Sequence, residues 1–113
     1  MDLNINTVQQ RIIIELFDDI CPITCKNFRE LCLGFVRKDQ SRISYINTEF
    51  HRVVKGQYIQ GGDIRKMTDT AESNSCSVFD KGEFADESFE FKHREPGMLG
   101  MCRRGGFANT NEC

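Results

Sequence analysis

Arg52 lies in the run FHRVVKGQYIQGGDI, residues 50–64, where a charge interrupts an otherwise strand-like pattern and Gln60 follows near its end. A guanidinium stays charged at physiological pH and presents several donors in a fixed fork, and a strand can hold it rigidly. The amide of a nearby glutamine can both donate to and accept from a peptide backbone. Taken alone, Arg52 reads as an exposed strand arginine and Gln60 as a surface amide. Gly61-Gly62-Asp63 reads as a strand break or bulge.

The other reactive side chains are cysteines and histidines. Six cysteines stand at 21, 25, 32, 76, 102 and 113. In a secreted chain they would suggest a disulfide framework, but no signal peptide supports that reading. They lack the paired C-x-x-C clusters of structural zinc sites, and His51 and His93 are far apart in sequence. The expectation is reduced thiols acting as small hydrophobes, with no metal. No N-x-S/T acceptor occurs, which fits a cytosolic chain.

The 113 residues, 39% hydrophobic and 28% charged, describe one globular domain over 1–113, with residues 1–10 expected as a flexible end. A net charge of −2, with short basic clusters at Arg65-Lys66 and Arg103-Arg104, argues against nucleic-acid binding. The apolar run Ile12-Ile13-Ile14 is too short to span a bilayer, so no membrane association is expected. The chain is expected to be intracellular, in the cytoplasm.

Several elements must position these side chains. RIIIELF, residues 11–17, is β-branched and aromatic and predicts a strand. Cys21-Pro22 predicts a helix start, because proline fits the first turn, and the acidic pair Asp18-Asp19 suits the positive end of the helix dipole. Cys25, Phe28, Leu31, Cys32 and Phe35 then form one apolar stripe, which is ordinary core rather than a cofactor site. Tyr45 to Val54 and Gln57 to Gln60 predict two strands around Lys55-Gly56, arranged as a hairpin or tight corner. Residues 65–88 predict a long loop, GMLGMC at 97–102 one more buried strand, and RRGGFANTNEC a turn-like end.

The landmarks combine into a pattern: Glu15-Leu16-Phe17; Pro22, Thr24 and Asn27-Phe28; Phe50-His51-Arg52; Gln60-Gly61-Gly62-Asp63; Phe84, Asp86-Glu87 and Phe89; His93; then Pro96-Gly97, Leu99 and Met101. In this order and spacing, across residues 11–101, the chain resembles the cyclophilin family of peptidyl-prolyl isomerases, its divergence being most like the cyclophilin-like-6 subgroup. The resemblance implies a mainly β fold, an antiparallel β-barrel with a capping helix, here incomplete on its C-terminal side. It also implies a groove on the outer face for proline-containing peptides or proteins, open to cyclosporin-like ligands if the groove forms.

The activity so implied is rotation about an X–Pro bond, whose barrier of about 18–20 kcal/mol comes from amide resonance. It requires no cofactor. A donor aimed at the prolyl nitrogen stabilises the twisted transition state while an apolar pocket holds the ring. By position, Arg52 matches the family's catalytic arginine and Gln60 its substrate-binding glutamine. Tyr58 stands where the family has a pocket methionine, and Gln57 where it has a pocket phenylalanine, placing a polar amide where the ring needs apolar surface. Cys102 and Arg103 fall where the family has the alanine and asparagine that receive the peptide. His51 and His93 are expected to be structural, since bond rotation needs no proton transfer.

The family continues beyond the Thr110-Asn111 motif, whereas this chain stops at Glu112-Cys113, so a C-terminally truncated domain is expected, with its isomerase activity reduced or lost. The alternative is a non-catalytic cyclophilin-like fragment that binds proline-containing segments or a partner protein.

Overall fold

A computed structural model describes residues 1–64, 77–79, 84–102 and 108–109 of the chain. Asn6 and Thr7, both at positive φ (48° and 71°), turn the chain back between strands β1 (Asp2–Ile5) and β2 (Val8–Arg11). Positive φ at both central residues is what a two-residue hairpin turn demands, and asparagine tolerates it better than most side chains. Asp2 pairs with Arg11 across the ladder, and the guanidinium grips the carboxylate at 2.6 and 3.0 Å, holding the Asp2 carboxyl below its ordinary range. The stretch expected as a flexible end, residues 1–10, thus forms with Arg11 an antiparallel hairpin.

The strand expected at 11–17 does not form beyond the start of the run. Residues 12–17 have no regular structure, and Ile13 is 94% exposed. A β-branched run supplies only a local preference; a strand also needs a partner to complete its ladder, and no described strand pairs there.

The helix α1 (Pro22–Leu33) forms as its spacing predicts, with proline in the first turn and Gly34 closing it by an N–H to the Glu30 carbonyl at 2.8 Å. Its inner face buries Cys25, Asn27, Phe28 and Leu31. Leu31 meets Ile43 and Ile64, with Phe35, Tyr45 and Val78 packed around them. The Tyr45 N–H donates to the Leu31 carbonyl at 3.0 Å, and the Phe28 and Tyr45 rings lie 5.5 Å apart, so the chain returning through β3 (Phe35–Val36) and β4 (Arg42–Ile43) is held on the helix. The buried Asn27 accepts the Val78 N–H at 3.0 Å, which satisfies a polar group in the core.

The amino end of α1 is closed from far away in sequence. The Glu87 carboxylate accepts the N–H groups of Ile23 (2.9 Å) and Thr24 (2.6 Å) and the Thr24 hydroxyl (2.7 Å). No acidic residue lies in the first turn itself, so this role belongs to Glu87 rather than to Asp18-Asp19. Phe17 stacks on Phe91 at 4.4 Å, giving the segment after Glu87 a second anchor.

Two further antiparallel pairs complete the described strands: the hairpin of β5 (Arg52–Val54) with β6 (Tyr58–Gln60), and β7 (Phe84–Ala85) with the sequence-distant β8 (Ala108–Asn109). The expected long loop at 65–88 therefore contains a short strand at 84–85, while 65–76 and 80–83 fall outside the described residues. The buried strand expected at 97–102 is absent, and these residues are irregular. The described strands form four two-stranded sheets, so the closed barrel is not present among them. What the fold delivers is a mostly β domain built on one helix.

Leu31 is 0% exposed at the centre of this core, whereas Leu33, two residues on, is 68% exposed. Leu31→Ala is expected to cost about 2–5 kcal/mol and Leu33→Ala less than about 0.5 kcal/mol, read as the shift in urea midpoint. Equal shifts would contradict the core described above.

Candidate functional site

The β5–β6 hairpin places the candidate residues by register. The Gln57 N–H donates to the Val54 carbonyl at 3.0 Å, closing a turn whose third residue, Gly56, has φ +75°, a conformation suited to glycine. Arg52 then stands opposite Gln60 and Val54 opposite Tyr58. Residues directly opposed on an antiparallel pair share a face, and side chains alternate along each strand. Arg52, Val54, Tyr58 and Gln60 therefore lie on one face, and Val53 and Ile59 on the other.

On the first face the Arg52 guanidinium carbon lies 5.4 Å from the centre of the Tyr58 ring. A cation over an aromatic face at this range is attracted by the ring quadrupole, worth about 0.5–1 kcal/mol where exposed. Both side chains are exposed, so the guanidinium is reachable from solvent. The Gln60 amide is half-buried and its Nε2 donates to the Cys102 sulfur at 3.4 Å, which draws the segment after Gly97 alongside the hairpin. Arg52, Tyr58, Gln60 and Cys102 are thus brought together on or beside one surface.

Gln57 is placed differently from the expectation. It is an exposed residue of the turn rather than part of the strand, because the Arg52–Gln60 register starts β6 at Tyr58. Arg103 lies outside the described residues. His51 is exposed next to Arg52, and the His93 ring lies against Gly100, where an added Cβ would come within 2.5 Å of its Cε1. Glu87 and Thr24, which fix how the segment leading to Cys102 docks, were visible in the sequence only as landmarks, since 63 residues separate them.

Chemically, this surface can offer a fixed cation and an amide to a peptide laid along it. Among the described residues no group of three or more His, Cys, Asp or Glu side chains is placed to hold a metal ion, and no helix is long and apolar enough to cross a membrane.

The family described as "Cyclophilin type peptidyl-prolyl cis-trans isomerase/CLD" matches residues 1–113. The chain belongs to the cyclophilin-type peptidyl-prolyl cis-trans isomerase family. It is similar to "Peptidyl-prolyl cis-trans isomerase 11" of Caenorhabditis elegans, 44% identical over 90% of this chain and 52% of that protein. It is similar to "Peptidyl-prolyl cis-trans isomerase CYP22" of Arabidopsis thaliana, 41% identical over 91% of this chain and 49% of that protein. "Probable inactive peptidyl-prolyl cis-trans isomerase-like 6" of Homo sapiens is 38% identical over 90% of this chain and 32% of that protein. The chain thus spans about half the length of these curated relatives, or less.

The hairpin tolerates no side chain at Gly61. A Cβ there would lie 2.8 Å from Phe50 Cδ1 and 2.9 Å from the Glu49 carbonyl oxygen, and the carbonyl belongs to backbone that cannot swing away. Gly61→Ala is expected to cost about 1–3 kcal/mol and to displace Gln60 from Cys102. The check is the alkylation rate of Cys102, which should rise several-fold; an unchanged rate in a folded variant would sever the proposed link between Gly61 and the site.

Proposed function

We propose that this chain carries the catalytic half of a prolyl-isomerase groove, with Arg52 donating to the prolyl nitrogen and Gln60 holding the backbone of the proline-containing substrate. The observation that carries this reading is the cross-strand pairing of Arg52 with Gln60, with the Tyr58 ring beside the guanidinium. A guanidinium already oriented by a neighbouring ring needs little reorganisation when charge shifts onto the nitrogen, which is where electrostatic preorganisation lowers a barrier. Tyr58 presents an aromatic body to the substrate, and Cys102 with Arg103 is assigned to the edge that receives the peptide. Cyclosporin-like macrocycles are expected to compete for the same face.

The alternative is a non-catalytic binder of proline-containing segments. Gln57 favours it, as an exposed amide in the turn where an apolar residue would help enclose the ring. The human relative, named as probably inactive, is 38% identical to this chain.

The cis/trans relaxation of a proline tetrapeptide, measured with wild type and Arg52→Ala, decides between them. Catalysis predicts that Arg52→Ala lowers kcat/KM by about 10²–10³-fold, the scale of losing one preorganised donor. Equal rates above background for both proteins would remove Arg52 from catalysis. Peptide binding without acceleration by the wild type would establish the non-catalytic reading. Amide-exchange protection at Leu31 shows in the same samples that the compared proteins are folded.

A further inference from the structure

Away from the groove, two thiols meet at the start of α1. Cys21 is the residue preceding the helix, at φ −135° and ψ 65°, and Cys25 is buried one turn later. Their sulfurs lie 3.7 Å apart. The Cys25 N–H donates to the Cys21 carbonyl at 3.0 Å, so the two residues keep helical spacing, which sets their Cα atoms about 6.2 Å apart. That spacing falls inside the range a disulfide spans, roughly 4.4–6.8 Å. The sulfurs must approach by roughly 1.7 Å to reach a bond of about 2.05 Å. Cβ atoms four residues apart on a helix lie about 5–6 Å apart, against the roughly 3.5–4.5 Å of a disulfide, so the Cys21 backbone, outside the helical region, must shift toward Cys25.

We propose that Cys21 and Cys25 form a reversible disulfide across the first turn of α1, with a low-molecular-weight disulfide such as oxidised glutathione as the oxidant. Cys21 is the more accessible of the two and reacts first. Its thiolate attacks one sulfur of oxidised glutathione, forming a protein–glutathione mixed disulfide and releasing one glutathione thiolate. The Cys25 sulfur then attacks the Cys21 sulfur, breaking the mixed disulfide and expelling the second glutathione, which takes up the Cys25 proton. The protein loses two protons and two electrons, and one oxidised glutathione takes them up to become two reduced ones.

The surroundings set the rate and the consequence. Burial, the hydrogen bond with Cys21 and the nearby Asp18 carboxylate push the Cys25 thiol up to about 12, against a smaller opposing effect of Arg29. Cys25 is therefore protonated at neutral pH, and the mixed disulfide closes slowly. The Cys21 thiol also donates to the Phe17 carbonyl at 3.4 Å, a bond the disulfide removes, although that carbonyl keeps the N–H groups of Ile20 and Cys21. Oxidation thus staples the helix start, where Ile23 and Thr24 bind Glu87, without dismantling the turn before it.

The test oxidises the native chain with glutathione disulfide and maps cross-links by mass spectrometry, with the same oxidation in denaturant as reference. The native chain is expected to give predominantly the 21–25 cross-link, lost in Cys21→Ser and kept in Cys32→Ser, and amide exchange at Ile23 and Thr24 should slow on oxidation. Closure of the mixed disulfide should accelerate about tenfold per pH unit between about pH 7 and 9, because raising the pH increases the Cys25 thiolate fraction in proportion. The same distribution of pairings in native and denatured protein, or stable glutathionylation at Cys21 with no closure at high pH, would overturn the proposal.

Discussion

A helix begins with backbone N–H groups that have no partner inside it, and the fold of this chain turns on how α1 meets that demand. Pro22 removes one such group outright. Ile23 and Thr24 give theirs to Glu87, so a local need is met by a carboxylate 63 and 64 residues further along the chain. Charge-assisted bonds of this kind are worth about 1.5–3 kcal/mol each where they are shielded, and less where water competes, as beside Ile23. Their larger effect is positional. They fix Glu87, the Phe17–Phe91 stack fixes the chain just beyond, and the same segment runs on to Cys102, where the Gln60 amide meets it. The site is therefore tied to the helix through a segment that carries almost no regular structure.

Polar ties matter here because the apolar centre is small. Leu31, Ile43 and Ile64 form the buried cluster, while two fully enclosed polar residues act on the loop at 77–79, the Asn27 side-chain oxygen accepting the Val78 N–H and the Ser77 hydroxyl bonding the Phe79 backbone. An asparagine with 0% exposure is tolerable only when its amide is matched, so Asn27 fixes where Val78 must sit as firmly as any leucine does. Elsewhere apolar surface stays open. Val53 and Ile59, on the reverse of the site hairpin, are 68% and 54% exposed. The hairpin is accordingly held by its own ladder, its turn and the Gly61–Phe50 contact more than by burial of its back face.

What could be read from the sequence follows from the range of the interactions involved. The helix was legible because proline at its start and apolar residues at three- and four-residue spacing are local facts. The β5–β6 hairpin is legible because Lys55-Gly56 sits between two short runs rich in β-branched and aromatic residues. The first hairpin is not legible, because Asn6-Thr7 lacks the glycine that usually marks such a turn, although Asp2 and Arg11 face one another across it. Residues 11–17 and 97–102 look like strands by composition, but composition cannot supply a neighbour to pair with. Glu87 was recognisable as a family landmark, yet its service to α1 depends on a contact that no local pattern encodes.

Register explains why the candidate site is both well defined and incomplete. A shift of one residue between β5 and β6 would turn Gln60 to the face of Val53, away from Arg52, since alternation along a strand has a period of two. Gly56 and Gly61 guard against that shift from opposite ends, one by permitting the turn and the other by allowing the hairpin to approach Phe50. The same register that sets Arg52 against Gln60 begins β6 at Tyr58 and leaves Gln57 in the turn. A donor and an amide can thus be fixed by three residue pairs, but an enclosure for a proline ring cannot. Enclosure requires side chains converging from separate elements, and of those the described residues contribute the Tyr58 ring and, through Gln60, the edge at Cys102.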